Sequence, residues 1–258
     1  MKHWLVVLSL GIFSILLGCS DKTVHGTTSE QLIVGTNANY APYVWIDKGE
    51  VVGFDKDILD KMGEKLGKKI IIKDMSFDSL ILALNQNKVD IIMGGISITP
   101  SRMQQIDMIP YQGEPLKSFV LVFWEQPKKS IQTWNDLKGM KIAVQTGTLQ
   151  DDFIQSIPDV ITKTLDGNAE IVMDVQHHKS EAALFEPHIA NDIKHKFPQT
   201  YLIELPLPNA NWVMGNGIGV SKHNSELSKQ ISETIEALKS DGSIKMFEKK
   251  WFKSGEVS

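Results

Sequence analysis

From residue 31 onward, short apolar runs alternate with stretches in which apolar residues recur at helical spacing. The apolar runs have the length of strands, and turn residues separate them from the helical stretches. This alternation is typical of the α/β class with largely parallel sheets. The predicted strands cover residues 32–36, 51–54, 69–73, 89–93, 119–123, 141–145, 160–164, 182–185 and 218–221. The predicted helices cover residues 55–66, 77–85, 100–106, 149–156, 168–176, 187–196 and 225–239.

Two segments have the features of crossings between lobes. One is the apolar run 119–123 with Trp124 to Pro127 after it, and the other is the glycine-rich segment 215–220, where hinge backbones need unusual dihedral angles. If both connect the same lobes, lobe 1 comprises residues 31–123 and 217–258, and lobe 2 comprises residues 124–216. A small ligand would then bind in the cleft between them.

The N-terminus predicts export. Lys2 precedes an apolar segment from Trp4 to Leu17, which is too short to span a membrane but suits a signal peptide. It ends in the sequence LLGC, similar to a bacterial lipobox, whose cysteine carries diacylglycerol. Residues 1–18 are therefore predicted to be a lipoprotein signal peptide, Cys19 the lipidation site and residues 19–30 a flexible tether. An ordinary signal peptide with an incidental cysteine is the alternative.

The composition excludes several classes of function. A net charge of −4 without basic clusters argues against nucleic-acid binding. Cys19 is the only cysteine, so the folded part has neither a disulfide nor a cysteine-based metal site. The histidines at 177, 178, 188 and 195 match no zinc spacing, and no Gly-x-Ser-x-Gly motif occurs. We therefore expect no metal and no cofactor.

One helix start could bind an anion. Thr99 is predicted as the N-cap of a helix with Pro100 at its first position, after the glycines Gly94 and Gly95. Arg102 falls in the first turn, so its guanidinium and free backbone N–H groups point at one place. Such an arrangement suits a carboxylate, although a surface salt bridge of Arg102 is the other interpretation.

A second strand-to-helix turn, Gln145 to Thr148, resembles the first and could hold the other side of a carboxylate. It is equally consistent with an ordinary turn. Glu186 ends a predicted strand just before Pro187, so its side chain either points into the cleft, where it could pair with an ammonium, or stabilises the following helix.

Polar and aromatic residues follow the first strands. Asn37 and Tyr40 come directly after strand 32–36, and Asp55 and Phe77 lie at other strand ends. Together they could form a partly apolar pocket for a side chain. The alternatives are core packing for the two aromatic residues and helix capping for Asp55.

Six motifs occur in the order and spacing of the polar amino-acid-binding proteins of ATP-driven importers, which the chain resembles over nearly all of its length after the tether. Each is weak alone, and together they are specific. They are GTNANYAPY at 35–43, VGFD at 52–55, VDI at 89–91, SITPSR at 97–102, QTGT at 145–148, and LKSDGS at 238–243 with WF at 251–252.

The resemblance implies a periplasmic-binding-protein-like fold of type II, whose lobes are joined by two hinge strands and close on one amino acid. Arg102 would bind the α-carboxylate, together with backbone N–H groups of Ser97 and Thr148. The α-ammonium would be held by the Gly95 carbonyl, the Ser97 hydroxyl and Glu186, where relatives usually carry aspartate.

Tyr40 and Phe77 would enclose the ligand side chain, while Asp55 and Asn37 would meet its far end. Arginine fits this pocket best, because a flat cation gains cation–π energy between aromatic faces. Basic-amino-acid binders often carry aspartate at the position of Asn37, so glutamine and histidine stay open. The candidate ligand-binding residues are Asn37, Tyr40, Asp55, Phe77, Gly94, Gly95, Ser97, Arg102, Gln145, Thr148, Gln150 and Glu186.

The resemblance further implies a monomer without enzymatic activity that delivers its ligand to the membrane permease subunits of an ABC importer, at the periplasmic or cell-surface side of a bacterial membrane. An enzyme of the same fold, a dehydratase acting on a prephenate-like substrate with Glu186 as proton donor, is the alternative. A sensory domain would need a second membrane span, and no apolar run after residue 17 is long enough.

Overall fold

The chain forms two α/β lobes, each built around a five-stranded sheet. The computed structural model describes residues 30–113, 116–208 and 214–252. The first part contains, in chain order, β1 (Gln31–Thr36), β2 (Asn39–Tyr40), β3 (Val44–Asp47), β4 (Glu50–Val52), α1 (Phe54–Leu66), β5 (Lys69–Asp74), α2 (Leu80–Asn85), β6 (Ile91–Ile92), α3 (Pro100–Gln105) and β7 (Asp107–Gln112).

The second lobe follows without interruption by elements of the first. It contains β8 (Ser118–Phe123), β9 (Lys141–Gln145), α4 (Leu149–Gln155), β10 (Ile161–Leu165), α5 (Asn168–Gln176), β11 (Ala182–Phe185), α6 (Pro187–Lys196) and β12 (Tyr201–Pro206). The chain then returns to the first lobe through β13 (Asn216–Val220), α7 (Ser225–Ser240) and α8 (Ser243–Trp251). The described residues thus confirm the two-lobed α/β class.

The sheets are mixed rather than largely parallel, which corrects the expectation from the sequence. The first has the order β5-β1-β6-β13-β7 and the second β10-β9-β11-β8-β12. In each, the strands joined by helices are parallel, whereas the strands that link the lobes run antiparallel to their neighbours. The antiparallel strands β8 and β13 each follow a strand of the other lobe directly, whereas the parallel neighbours are joined by crossovers that contain a helix.

The boundary predicted at residue 123 is wrong, because β8 lies inside the second sheet. Its alternate residues enter two cores on opposite faces: Phe119 and Leu121 pack on one side, and Val120 and Val122 on the other. A strand with two apolar faces requires cover on both sides. The chain therefore passes from the first lobe to the second between β7 and β8 rather than after residue 123.

Glycines mark the crossing on both strands. Gly113 has φ 96° and Gly215 has φ 75°, a region that favours glycine. A Cβ at Gly215 would lie 2.6 Å from the carbonyl oxygen of Gln112. The two crossing strands therefore run against each other with no room for a side chain between them.

Elements that the sequence pattern did not predict lie mainly at edges. The strands β7 and β12 close one edge of their sheets, and each contains a proline, Pro110 and Pro206, which an edge strand tolerates. Strands β2 and β3 of the small sheet and helix α8 were also not predicted, whereas the predicted strand 51–54 corresponds to β4, which ends at Val52. The predicted strand 89–93 is reduced to β6, whereas α5 and α6 match their predicted bounds.

Each lobe has apolar cores on both faces of its sheet. In the first lobe, α1, α7 and α8 cover one face, and Phe252 at the end of α8 packs edge-on against Tyr43 and Phe54. Helix α2 covers the opposite face. The sheets are therefore held rigidly, and their strand ends point toward the space between the lobes.

The predicted signal peptide, Cys19 and nearly all of the predicted tether lie outside the described residues. Among the residues that are described, no helix combines the length and the apolar character needed to cross a bilayer.

The crossing predicts unequal effects of two glycine substitutions. Gly215 and Gly242 have similar positive φ angles, but a Cβ at Gly242 would have nothing within 4 Å. Gly242→Ala should cost about 1 kcal/mol from backbone strain, and Gly215→Ala about 1–3 kcal/mol more, because its Cβ collides with backbone. Urea unfolding of both variants measures the difference. Equal losses would contradict the close approach of the crossing strands.

Candidate functional site

A cavity lies between the lobes, at the carboxyl ends of β1 and β6 on one side and of β9 and β11 on the other. Eleven of the twelve candidate residues line it, and Asp55 does not. Five further lining residues were not predicted: Leu149, Asn168, Leu184, Phe185 and Ile189. The placement of ligands at the carboxyl ends of strands could have indicated Asn168, which begins the helix after β10.

Arg102 lies buried at one end of this cavity, with 7% of its surface exposed. The predicted helix start is confirmed, since the Thr99 side chain accepts the backbone N–H of Arg102 at 3.2 Å and Pro100 begins α3. Arg102 donates from Nη1 to the Ser97 carbonyl at 2.8 Å and from Nη2 to the Gly147 carbonyl at 3.3 Å. Its guanidinium thus connects the two lobes.

The charge of Arg102 is poorly compensated. It forms no ion pair with any described residue. Burial lowers its pKa, while Asp152 and Glu186 act in the opposite direction from a greater distance. The ring of Phe77 lies 5.2 Å from the guanidinium carbon. Since these two hydrogen bonds to the Ser97 and Gly147 carbonyls use two of the five N–H donors of the guanidinium, the group is suited to hold an anion.

The second helix start faces Arg102 from the other lobe. Thr148 is the N-cap of α4, and its hydroxyl accepts the Asp151 backbone N–H at 3.3 Å and donates to the Gln145 carbonyl at 2.7 Å. Gly147 has φ 73°, and a Cβ there would lie 2.9 Å from Cβ of Asp78 in the first lobe. This glycine therefore allows the lobes to come together next to Arg102.

Glu186 points into the cavity rather than capping α6. Its side chain forms no capping hydrogen bond, and instead accepts from the Tyr40 hydroxyl at 2.6 Å and from Gln150 Nε2 at 3.4 Å. Nδ1 of His188 lies 3.6 Å from the same carboxylate. The structure thus favours the cleft-facing interpretation of Glu186 over the capping one.

Tyr40 and Phe77 both line the cavity, as predicted, and each has a further contact. Tyr40 stacks on Tyr43 with ring centroids 5.1 Å apart. Burial, followed by the Glu186 carboxylate, raises the pKa of Tyr40, so its hydroxyl stays a donor. Phe77 begins a 3-10 turn ahead of α2 and lies against the guanidinium of Arg102.

The expectation that Asp55 meets the ligand side chain is corrected by the structure. Asp55 is fully buried in the first lobe. Its carboxylate accepts the Gly95 backbone N–H at 2.9 Å and the Tyr111 hydroxyl at 2.9 and 3.0 Å. The second residue of α1 points inward beside Phe54, so its oxygens are used within the lobe. Asp55 therefore stabilises the loop that contains Gly95 from the core side of the first lobe.

This support is needed because Gly95 adopts φ 61° against the ring of Tyr40. A Cβ at Gly95 would lie 2.4 Å from that ring. The Asp55 hydrogen bond fixes the orientation of the peptide group at this point, and the neighbouring segment Ile96–Ile98 is bonded to the backbone of Gly215 and Gly217. The loop that lines the cavity is thus tied both to the core and to the crossing.

Asn37 and Gln145 meet across the cleft. Gln145 Nε2 donates to Asn37 Oδ1 and to the Asp166 carbonyl, both at 2.9 Å. Asn37 Nδ2 donates to the Met75 carbonyl at 2.9 Å. Because a carbonyl can only accept, these contacts define which amide atom is nitrogen and which is oxygen.

The burial of Asp55 predicts a pH dependence of stability. Desolvation raises its pKa from 3.8 to about 7, although the hydrogen bonds from Tyr111 and Gly95 oppose the shift. The folded protein then holds more protons than the unfolded chain between about pH 4 and pH 7, so this contribution to stability decreases as the pH rises through that window and is constant above it.

Asp55→Asn should remove this decrease of the free energy of unfolding with rising pH, because the amide cannot ionise. Urea unfolding measured across the same pH window tests this. Asp60→Asn, at an exposed position on the same helix, serves as the control and should keep the slope of the unchanged protein. An unchanged slope in Asp55→Asn would show that Asp55 does not titrate as described.

Comparisons with known proteins agree with this geometry. The model of bacterial extracellular solute-binding proteins, family 3, matches residues 32–254. A probable arginine-binding protein of an ABC transporter from Chlamydia trachomatis is 39% identical over 251 residues, which cover 97% of this chain and 96% of that protein.

Two solved structures share the fold. A Salmonella typhimurium periplasmic binding protein described for its high arginine specificity is 26% identical, with a TM-score of 0.78 over 86% of this chain and 99% of that one. An ancestral arginine-binding protein bound to glutamine is 30% identical, with a TM-score of 0.77 over 86% and 98% of the two chains. This chain, with its two lobes and the cavity between them, belongs to the bacterial extracellular solute-binding proteins, family 3.

Proposed function

We propose that the protein captures arginine outside the cytoplasm and delivers it to the permease subunits of an ABC importer. Family membership establishes that it is an extracytoplasmic solute-binding protein rather than an enzyme, which rejects the dehydratase alternative. The Chlamydia relative, which covers nearly the whole chain, is named as a probable arginine-binding protein of an ABC transporter. That description supports both the ligand class and the partner.

The observation that carries the proposal is the pair of opposite charges on the cavity wall. Arg102 comes from the first lobe and Glu186 from the second, and both line the same cavity. A free amino acid presents a carboxylate and an ammonium, so it would satisfy both groups and hold the lobes together. In this proposal the Gly95 carbonyl and the Ser97 hydroxyl assist Glu186, and Thr148 assists Arg102.

The sequence itself singles out Arg102. The chain contains 27 lysine and arginine residues, of which Arg102 is the only arginine. Lysine serves at every other basic position, so the planar fork of a guanidinium is used only where it faces the cavity. Such a fork binds a carboxylate with two parallel hydrogen bonds, which a lysine ammonium cannot do.

Arginine is the preferred ligand, and glutamine is the second candidate. Phe77 and Tyr40 offer aromatic surface to a flat cation, and the two relatives named for arginine support the choice. The ancestral protein bound to glutamine shows that a related cavity accepts a neutral side chain. Because Asp55 does not line the cavity, other residues must provide the preference for a cationic side chain.

Binding without turnover is the first expected result. Calorimetric titration of residues 20–258 should show arginine binding at micromolar or lower concentration, and Arg102→Ala should remove binding of every amino acid. Arg102→Lys should weaken it by about tenfold or more, since the charge stays but the fork is lost. Lys222→Ala, at an exposed loop position, is the control and should bind normally. Normal binding by Arg102→Ala would contradict the assignment of the carboxylate site.

Lipid anchoring of the mature chain at Cys19 is part of the proposal, since the LLGC sequence ends an apolar leader and two or more acyl chains hold a protein firmly at a membrane. We expect the full chain expressed in a bacterium to fractionate with membranes and Cys19→Ser to lose this association. The protein would act as a tethered monomer. Equal membrane association of Cys19→Ser would contradict the anchor.

A further inference from the structure

The two strands that cross between the lobes carry paired amide side chains at their first-lobe ends. Gln112 is the last residue of β7 and Asn216 the first of β13, and the two are register partners. Asn216 Nδ2 donates to Gln112 Oε1 at 3.4 Å. The next residues toward the second lobe are Gly113 and Gly215, both with positive φ. A bonded pair of amides thus lies directly beside the two glycines of the crossing.

Tyr43 joins this pair of amides from a neighbouring segment of the first lobe. It lies just before β3, and its hydroxyl is hydrogen-bonded to the side chains of Gln112 and Asn216. Burial, followed by the carboxylates of Glu186 and Asp55, raises the pKa of Tyr43, so the hydroxyl keeps its proton. We name Tyr43, Gln112 and Asn216 the crossing cluster. None of the three is among the described residues that line the cavity.

The ring of Tyr43 belongs to the core of the first lobe. It packs edge-on against Phe54 and Phe252, with ring centroids 6.1 and 5.2 Å away. The Tyr43 backbone carbonyl accepts the Asp55 N–H at 2.9 Å. Because protein interiors are close-packed, the ring has a fixed position within this lobe. The hydroxyl at its end therefore holds the two amides in a position that the core determines.

A rotation of one lobe against the other must change backbone angles in the crossing strands. Gly113 and Gly215 have the conformational freedom for this change. Gln112 and Asn216 are restrained, because their side chains are bonded to the Tyr43 hydroxyl. The crossing cluster thus confines the rotation to residues on the second-lobe side of the two amides.

We propose that Tyr43 is a positioning residue for ligand capture, whose hydroxyl restricts the motion of the open lobes to arrangements that can close. This inference rests on the proposed capture of an amino acid, and it concerns closure of the lobes rather than contact with the ligand. Without the hydroxyl, the open protein samples more arrangements, and a smaller fraction of the molecules is competent to bind. A smaller competent fraction lowers the apparent affinity for every ligand by the same factor.

Tyr43→Phe provides the direct test, because it removes the hydroxyl and keeps the ring against Phe54, Phe252 and His188. Calorimetric titration of residues 20–258 should give affinities for arginine and glutamine that are both lower by about threefold to tenfold, with an unchanged ratio. Small-angle X-ray scattering should give a larger radius of gyration than for the unchanged protein without ligand, and an equal one with saturating arginine. Tyr201→Phe, at an exposed position on β12, is the matched control and should behave as the unchanged protein in both measurements.

A second variant shows whether the contact within the crossing cluster is responsible. Gln112→Met keeps the length of the side chain without its amide, so it should reproduce both effects of Tyr43→Phe. Because the two residues share one contact, the double variant should bind arginine within about twofold of either single variant. Additive losses in the double variant would overturn the inference.

The inference is also wrong if Tyr43→Phe keeps the arginine affinity or the ligand-free radius of gyration of the unchanged protein. A changed ratio of arginine to glutamine affinity would contradict it as well, because the crossing cluster does not contact the ligand side chain. If the unchanged protein binds no amino acid, the proposed function fails, whereas the ligand-free scattering still decides whether the Tyr43 hydroxyl restricts the lobes.

Discussion

The buried guanidinium of Arg102 is the constraint around which the cavity is organised. A charge removed from water is costly unless it is paired, and here two backbone carbonyls and one aromatic face provide incomplete compensation. One of those carbonyls belongs to Gly147 in the other lobe. The distance between the lobes therefore affects how well this charge is compensated. A ligand carboxylate bound between the lobes would pair with the charge and also hold the lobes together.

The rest of the first lobe holds the cavity wall in place. Gly95 adopts a left-handed conformation beneath Tyr40, and the Asp55 carboxylate fixes its N–H from the core side. The neighbouring segment Ile96–Ile98 is bonded to the strand that crosses between the lobes. The same few residues thus connect the core, the crossing and the wall of the cavity. A movement of the lobes would be transmitted to this loop of the cavity wall through these hydrogen bonds.

The sequence predicted the elements whose signals are local. Thr99 with Pro100 indicated the start of α3, and the apolar spacing and final glycine indicated α1. The edge strands β7 and β12 were missed because their prolines and mixed polarity are tolerated only at a sheet edge. The boundary between the lobes was misplaced because Phe119 to Phe123 is apolar on both faces, which fits an interior strand in either lobe.

By itself, the sequence determined the α/β class, the order of the motifs and eleven of the sixteen residues that line the cavity, because strand ends and helix starts are specified by neighbouring residues. Only the tertiary structure decided where the side chains point. Asp55 and Glu186 both lie at strand-to-helix junctions, yet Asp55 turns into the core toward Tyr111 and Glu186 turns into the cleft toward Tyr40. That choice depends on partners distant in the chain, which no local pattern contains.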